Sequence, residues 1–476
     1  MGYKFDPNLS ATRNVTMTTP SEYQSEHQSI SRFRGIIIIA IAALGALALW
    51  QFLPFSDNEN KGLALLFFVA VLWLTEAVHT TFTAIMIPVL GVMIAIPDVN
   101  TKVAFSAFAD PIIFLFFGGF ALAAALQTQK MDRKIALWLI HIAKGNFALV
   151  VFSIFVATAF LSMWISNTAT TAMMLPLVVG IMAGVDRVKD RNTFVFVLLG
   201  LCYSAAIGGI GTIVGTPPNA ITANALGLTF AGWMKVAAPF MLIMFPLMLG
   251  ILYLVFKPKL KVEMSTIQED IPWTAQRKMT MIVFAVTALS WIFSSFIADA
   301  TGWSSVDTII AVTAAIAIGV LGLASWQEIS DNTDWGILML FGGGITLSTI
   351  LSNSGASLVL GQSIAQLLQG SSTVVIIAVV GIFIVFLTEF SSNTATAALL
   401  VPVFSGIAVQ MGIPQATLVL TIGLGVSMAF MMPVATPPNA IVMGSGLIKQ
   451  SEMMKAGVWL NLVGVAVLVV YIKLLI

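Results

Sequence analysis

The pentapeptide Ser-Asn-Thr-Ala-Thr at Ser166–Thr170 occurs again at Ser392–Thr396. A second pentapeptide, Thr-Pro-Pro-Asn-Ala, occupies Thr216–Ala220 and again Thr436–Ala440. The two motifs keep their order and approximate spacing, and all four copies lie in strongly apolar surroundings. Polar clusters followed by Pro-Pro helix breaks are costly in a membrane, so paired interruptions in two halves of a chain predict a binding site between two repeats.

The composition is that of a membrane protein. Of the 476 residues, 58% are hydrophobic and 9% are charged, whereas about 25% of the residues of an ordinary soluble domain are charged. Mean hydropathy is +0.99. Apolar runs such as 35–53, 62–78 and 279–298 approach the roughly 20 residues that a helix needs to cross a bilayer. Because the alternating pattern of a barrel is absent, we predict an all-α polytopic membrane protein.

Several functions are disfavoured by what the sequence contains. The net charge is +1, which indicates no nucleic-acid partner. The single cysteine, Cys202, excludes an internal disulfide and a cysteine-based metal cluster. The three histidines, His27, His79 and His141, are too scattered for a zinc site. Nucleotide loops, zinc-protease motifs and nucleophile elbows are absent from the sequence, so we do not expect an enzyme.

The apolar pattern predicts about 11 transmembrane helices and two re-entrant helical hairpins. In the first half, the polar residues 1–33 are expected to form a disordered cytoplasmic tail. Membrane helices follow over 34–128, and a basic amphipathic stretch at 129–145 predicts an interfacial helix. The first hairpin and a helix broken at the Pro-Pro pair are expected within 146–256.

The second half is predicted to repeat this order. A polar, basic cytoplasmic linker occupies 257–278, and membrane helices follow over 279–351. An interfacial segment over 352–371 precedes the second hairpin, the second broken helix and the last helix, which occupy 372–476. Each hairpin arm has at most about 20 residues and a polar tip, which favours a re-entrant hairpin, because irregular backbone at membrane depth must be buried in protein or line a cavity.

The distribution of basic residues predicts the orientation. With the amino terminus in the cytoplasm, only Lys61, Lys102, Lys235 and Lys473 of the 22 Lys/Arg fall outside, and the remaining 18 fall inside. If each Ser-Asn-Thr region is instead read as two full crossings, every loop stays on the same side of the membrane. The charge distribution therefore does not distinguish hairpins from full crossings.

Phe117-Gly118-Gly119 matches Phe341-Gly342-Gly343 in the second half. In this topology the first Phe-Gly-Gly helix runs inward and the second outward, which makes an inverted repeat.

The motifs also predict a binding chemistry. Ser, Asn and Thr begin helices well, so each hairpin tip directs helix N–H groups and a positive dipole end toward mid-membrane. The Pro-Pro breaks free backbone carbonyls near Gly215 and Ala435, and such hard oxygens suit Na+. No Lys or Arg occurs in 145–185, 192–234 or 370–448, so a bound anion must be balanced by dipoles and bound cations.

Purely structural roles are the alternative to the functional interpretation of these motifs. Ser and Thr in membrane helices often only bond back to a carbonyl or permit close packing, but duplication of both motifs makes this reading the weaker one. For Phe-Gly-Gly, close helix packing is the favoured interpretation. Glu76 and Glu389 lie in apolar surroundings and are candidates for function, with a structural role as the equal alternative.

The duplicated Ser-Asn-Thr, each copy followed by a Thr-Pro-Pro-Asn break, resembles the divalent anion:sodium symporter family of dicarboxylate, citrate and sulfate transporters. The resemblance covers residues from about 34 to 476. It implies a homodimer in which each protomer has a scaffold domain, formed by the helices of 34–128 and 279–351. Each protomer is also expected to have a mobile transport domain, which carries both hairpins and moves as an elevator.

By the same resemblance, two Na+ sites and a substrate site are expected at the motifs. The first Na+ site is Ser162, Ser166, Asn167 and the carbonyl of Gly215. The second is Thr388, Ser391, Asn393 and the carbonyl of Ala435. The substrate is expected to meet Asn167, Thr168, Thr216, Pro217, Asn393, Thr394, Thr436 and Pro437. Serine is common in the family where Thr216 stands, so the added methyl group leaves the substrate's size open.

The resemblance implies Na+-coupled import of C4 dicarboxylates such as succinate, malate and fumarate, across the plasma (inner) membrane. A Na+-independent dicarboxylate or citrate exchanger, a sulfate or tricarboxylate symporter and an anion channel are the alternatives. A membrane-embedded hydrolase is disfavoured, because the sequence places no base or metal-ligand pair near either motif serine.

Overall fold

The computed structural model describes residues 20–142, 146–187, 189–260, 271–367 and 370–475, and these residues form helices without any β-strand. The helices of the first half are α1 (Pro20–Phe52), α2 (Asp57–Thr75), α3 (Thr80–Met93), α4 (Thr101–Ser106), α5 (Pro111–Thr128), α6 (Met131–Ile142), α7 (Phe147–Ser162), α8 (Asn167–Ile181), α9 (Arg191–Gly209), α10 (Pro217–Ala225) and α11 (Phe230–Phe256). The predicted all-α class is confirmed.

The helices of the second half are α12 (Ala275–Ile292), α13 (Ser294–Thr301), α14 (Val306–Val320), α15 (Trp326–Asn332), α16 (Trp335–Ser354), α17 (Ala356–Leu367), α18 (Thr373–Thr388), α19 (Asn393–Gln410), α20 (Gln415–Gly425), α21 (Pro437–Gly444) and α22 (Gln450–Leu475). Apart from α13, the order of long and short helices in α12–α22 matches that in α2–α11. The two halves therefore have the same sequence of elements.

Acceptor side chains begin many of these helices. Ser56 and Glu59 form a capping box at α2, in which each side chain accepts from the backbone N–H of the other. Asp110 caps α5 and Asp334 caps α16, the two helices that carry Phe-Gly-Gly. These caps satisfy N–H groups that have no partner within the helix, and they explain why the two helices start at matching positions.

In the described ranges, eight helices are long and apolar enough to cross a membrane. A ninth is added if α12 and α13 count as one span, although they are bent by 72°. The sequence predicts one span over 279–298, whereas Phe293 leaves helical geometry with φ of −98° and ψ of 16° and separates the two helices. The count of about 11 crossings stays a prediction.

Segment boundaries differ from the sequence expectations in two places. Helix α1 begins at Pro20, so residues 20–33, which were expected in the disordered tail, are helical; residues 1–19 of that tail lie outside the described residues. The expected linker 257–278 overlaps the start of α12 at Ala275, and its residues 261–270 also lie outside the described part. The expected interfacial segments contain α6 and α17.

The Phe-Gly-Gly helices cross helices of the opposite half. Helix α5 packs on α14, and α16 packs on α3. A Cβ atom at Gly118 would overlap the backbone of Ala311, and one at Gly343 would overlap the backbone of Ala84. Only glycine permits backbones to approach this closely. The favoured interpretation of Phe-Gly-Gly as a close-packing motif is confirmed.

Arg191 ties the start of α9 to the start of α22. Its Nε and Nη2 atoms donate to the two oxygens of Glu452 at 2.9 and 2.7 Å, and Nη1 donates to the Leu447 carbonyl at 2.7 Å. Because these side chains are only 34% and 21% exposed, we expect Arg191→Ala to lower the thermal unfolding midpoint in detergent by about 2–4 °C. Arg191→Lys should lower it less. A midpoint unchanged in Arg191→Ala would contradict a stabilising role for this pair.

Candidate functional site

The tip of the predicted first hairpin lies between α7 and α8. The Ser162 hydroxyl lies 2.6 Å from Asn167 Oδ1, to which it donates, and 2.8 Å from the Ala205 carbonyl of α9. Ser166 begins α8 by accepting from the N–H of Ala169 at 3.3 Å. The Asn167 side chain is thus held at the N-terminal end of a helix, where N–H groups and the helix dipole favour an anion.

The tip of the predicted second hairpin, between α18 and α19, has the same arrangement. The Thr388 hydroxyl lies 2.5 Å from Asn393 Oδ1 and 3.2 Å from the Val426 carbonyl, which follows α20. Ser392 begins α19 by accepting from the N–H of Ala395 at 3.4 Å. The two tips therefore place an asparagine amide, a buried hydroxyl and a helix N-terminus in the same relation.

The broken helices are held by the asparagine of each Thr-Pro-Pro-Asn motif. Asn219 Nδ2 donates to the carbonyls of Gly209 and Thr212 at 2.8 and 2.6 Å. Asn439 Nδ2 donates to the carbonyls of Ala429 and Met432 at 3.1 Å each. In both halves, the acceptors lie ten and seven residues before the asparagine. Each asparagine therefore satisfies two backbone carbonyls of the irregular segment that precedes its Pro-Pro pair and fixes that segment against the start of the next helix.

Close contacts join three of the four predicted members of the first Na+ site, Ser162, Asn167 and Gly215. A Cβ atom at Gly209 would overlap the Oδ1 atom of Asn167, and a Cβ atom at Gly215 would overlap the Gly209 carbonyl oxygen. The chain of contacts runs from Ser162 through Asn167 and Gly209 to Gly215. The absence of side chains at the two glycines allows the unwound backbone to approach the hairpin tip.

The motifs of the two halves lie on helices that contact one another. Helix α10 packs on α19 and α20, and α21 packs on α8 and α9. The Tyr203 hydroxyl of α9 donates to the carbonyl of Phe430, in the break after α20, at 2.6 Å. The short helix after each break thus packs against the hairpin helix of the other half, so the four motif segments form one continuous region.

The predicted site residues span a range of exposures. Those that are exposed are Ser166, Thr168 and Pro437. Those that are partly buried are Asn167, Thr216, Pro217, Asn393 and Thr394. Those that are buried are Ser162, Gly215, Thr388, Ser391, Ala435 and Thr436. The predicted Na+ ligands are mostly buried, whereas most of the predicted substrate contacts are at least partly accessible.

The halves differ in detail at two predicted positions. The Ser391 hydroxyl contacts the Leu387 carbonyl at 3.0 Å and the Thr396 hydroxyl at 2.8 Å, whereas the matching residue of the first half is Ile165. Thr436 caps α21, but Thr216 makes no capping hydrogen bond at α10. The extended backbone at both threonines is nearly identical.

Two buried residues of this region, Asn219 and Asn439, receive no role from the sequence, and both are 0% exposed. Glu389, an acidic candidate from the sequence, is also 0% exposed. The asparagines were visible as the fourth residue of the duplicated motif, and a polar side chain that follows a Pro-Pro break is a usable signal for a backbone-holding role. Glu76, the other acidic candidate, is exposed and ends α2 with a left-handed φ of 48°.

The region combines donors for an anion with oxygens for a cation. Within the part of the chain that the structure describes, no group of three His, Cys, Asp or Glu residues could hold a metal ion. The oxygens at the tips and breaks are hydroxyl, amide and carbonyl oxygens, which are hard ligands that fit Na+. A polytopic helical protein with paired breaks and polar hairpin tips has the architecture of a secondary transporter.

Comparison with known proteins agrees with this class. The profile of the sodium:sulfate symporter transmembrane region matches residues 32–475. An uncharacterised transporter of Haemophilus influenzae is 54% identical, over 92% of this chain and 96% of its own. The sodium-dependent dicarboxylate transporter SdcS of Staphylococcus saprophyticus is 30% identical, over 95% and 93%.

A solved structure shares the fold. The crystal structure of the Alcanivorax borkumensis YdaH transporter matches with a TM-score of 0.55 at 15% identity, over 79% of this chain and 87% of that one. The chain belongs to the sodium:sulfate symporter family, and the resemblance inferred from the motifs is confirmed. Its coupling ion is Na+, as predicted.

Proposed function

We propose that the protein imports C4 dicarboxylates such as succinate, malate and fumarate together with Na+. The observation that carries this proposal is the duplicated tip, in which Ser162 holds Asn167 and Thr388 holds Asn393 with the same hydrogen bonds. Two tips that each offer an amide and a helix N-terminus suit a ligand with a carboxylate at each end. The dicarboxylate function of SdcS, which is similar over nearly the whole chain, supports this substrate class.

The proposed mechanism starts with Na+. The first ion would bind at Ser162, Ser166, Asn167 and the Gly215 carbonyl, and the second at Thr388, Ser391, Asn393 and the Ala435 carbonyl. Bound Na+ supplies positive charge in a region whose segments carry no Lys or Arg. The dianion then meets a site that two Na+ ions have made positive, and its binding brings the total charge of the ligands to zero. The attraction is strong because water is excluded from the site.

Substrate would be held by both halves. Its carboxylates would accept from Asn167, Thr168, Asn393 and Thr394, with Thr216, Thr436, Pro217 and Pro437 lining the pocket. Thr216 supports this role, because its hydroxyl is not used to cap α10. Binding of Na+ and substrate is coupled because Asn167 and Asn393 belong to both sets, so each ligand orders the amides that the other needs.

Transport is proposed to occur as an elevator in a homodimer. The scaffold would contain the crossed pairs α5–α14 and α3–α16, in which close glycine contacts join the two halves. The moving domain would contain both hairpins and both broken helices, which interlock through α10 and α21. Because the tips and breaks move as one body, the site would keep its geometry while its access changes from one side of an inverted repeat to the other.

Uptake into proteoliposomes tests the proposal. We expect labelled succinate to accumulate against its gradient when Na+ is higher outside, and to do so at least tenfold less when choline replaces Na+. Unlabelled malate and fumarate should compete, and sulfate and citrate should compete weakly. Uptake that is driven by internal dicarboxylate and indifferent to Na+ would overturn the coupling, and preferential competition by sulfate would overturn the substrate class.

A further inference from the structure

Glu389 is a fully buried carboxylate at the end of the first arm of the second hairpin. Its Oε1 atom accepts from the N–H groups of Phe430 and Met431 at 2.7 and 2.9 Å, and its Oε2 atom accepts from Met432 N–H at 2.9 Å. Asn461 Nδ2 of α22 donates to Oε1 at 2.6 Å. All four contacts use the carboxylate as an acceptor, which is the only capacity that an ionised carboxylate has.

The backbone that Glu389 holds is the unwound segment between α20 and α21. In this segment the Met432 carbonyl accepts from Asn439 Nδ2 at 3.1 Å and from the N–H of Ala435 at 3.3 Å. The Phe430 carbonyl accepts from the Tyr203 hydroxyl of the other half at 2.6 Å. The middle of the segment is therefore held from several sides, and Ala435 is hydrogen-bonded to Met432, whose N–H donates to the carboxylate.

The first half links the same two positions by different chemistry. Glu389 directly follows α18 as Met163 directly follows α7, and Met432 lies four residues before its Thr-Pro-Pro-Asn motif as Thr212 does. In the first half the Thr212 hydroxyl donates to the Met163 carbonyl. Hairpin and break are thus joined at one equivalent point in each half, by a neutral hydrogen bond in the first and by a carboxylate in the second.

We propose that Glu389 is a positioning residue for the second Na+ site. It holds the backbone of residues 430–432, and this sets where the Ala435 carbonyl stands relative to Thr388 and Asn393. Its negative charge also favours a cation beside it, because the surroundings are shielded from water. The inference rests on the proposed function in that it takes Na+ as the ligand of this site. If the inference holds, Na+ binding at the second site depends on the single side chain of Glu389 more strongly than Na+ binding at the first site depends on any one side chain that joins its hairpin to its break.

Glu389→Gln tests the proposal. The side-chain NH₂ group of glutamine cannot accept from backbone N–H groups, so at least one of the donors loses its partner and the charge is lost. We expect the Na+ concentration that gives half of the Na+-induced rise in thermal unfolding midpoint to increase about tenfold or more, with choline chloride keeping the ionic strength constant. The substrate KM at saturating Na+ should stay within about twofold of the wild-type value.

Three further variants separate positioning from a purely structural role. Glu76→Gln removes the same charge from an exposed helix end and should leave the Na+ dependence unchanged. Thr212→Val removes the neutral link of the first half and should shift the Na+ dependence less than Glu389→Gln. If Glu389→Gln does not fold, Glu389→Asp keeps the charge with a shorter reach and should still require several times more Na+ than wild type.

The outcomes distinguish this inference from the function on which it rests. One outcome would overturn the inference only. In it, Na+ alone stabilises the wild-type protein, and a folded Glu389 variant reaches half of its rise in unfolding midpoint at the same Na+ concentration. Wild-type protein whose midpoint ignores Na+ would overturn the proposed coupling. Glu389 variants with a lower midpoint and an unchanged Na+ dependence would assign Glu389 to fold stability, against the proposal.

Discussion

Asn167→Ala and Asn393→Ala are each expected to reduce Na+-driven succinate uptake to background, a loss of about 100-fold. Each amide accepts from a buried hydroxyl through Oδ1, at 2.6 Å from Ser162 and 2.5 Å from Thr388. This orientation leaves Nδ2 to donate to a substrate carboxylate. The alanine variants lose that donor and an Na+ ligand together, and the buried hydroxyl keeps only a backbone carbonyl as its acceptor.

The measurement is initial uptake per amount of purified protein in proteoliposomes, with expression and elution profile compared first. Asn332→Ala is the matched control, since Asn332 is an exposed residue at the end of α15 whose amide donates to the Glu328 carbonyl. It should transport at the wild-type rate. Near-normal uptake by either Asn167→Ala or Asn393→Ala would show that the corresponding tip is only structural.

Gly209→Ala is expected to reduce uptake by at least about tenfold while the protein stays folded. A Cβ atom at this position would overlap Asn167 Oδ1. A side-chain oxygen can move at low cost to the fold, but moving it breaks the hydrogen bond from Ser162 and displaces the amide of a residue that belongs to both predicted ligand sites. The loss should appear as a higher Na+ requirement, with an unfolding midpoint close to the wild-type value in the absence of Na+.

Two other glycines provide the comparison. At the neighbouring Gly208 a Cβ atom would overlap the backbone of Ala159, which cannot move aside, so Gly208→Ala should lower the unfolding midpoint itself. At Gly250 in α11 nothing lies within 4 Å of an added Cβ, so Gly250→Ala should be neutral or slightly stabilising. A Gly209→Ala protein with wild-type uptake and Na+ dependence would contradict the close approach of the first break to the first tip.

Local sequence signals accounted for most of the helices and for the points where they begin and break. Ser166 and Ser392 begin α8 and α19 as the N-cap chemistry of serine predicts. The Pro-Pro pairs begin α10 and α21, as a residue with no N–H and a fixed φ can. They were expected to end the preceding helices, but α9 and α20 already end at Gly209 and Gly425. The predictions were weaker at the helical residues 20–33 and at the bend after α12, because polar composition and apolar run length specify neither a helix start nor a bend.

The duplicated motifs by themselves identified the family and the coupling ion, because each depends on residue types at short spacings. The roles of individual site residues stay predictions, although the structure brings their segments together. What the motifs did not contain is the pairing between the halves. Helix α10 packs on α19, and α21 packs on α8, which no local pattern specifies.

The sequence alone thus determined the apolar helices, the two polar tips and the two breaks, because these follow from the hydrogen-bonding and solvation of neighbouring residues. Only the tertiary structure decided how the buried polar groups are satisfied. Glu389 meets Asn461 across 72 positions of the chain, and Tyr203 meets Phe430 across 227. Partners at such separations are selected by packing, since a buried donor or acceptor must bond to whatever group the fold brings within reach.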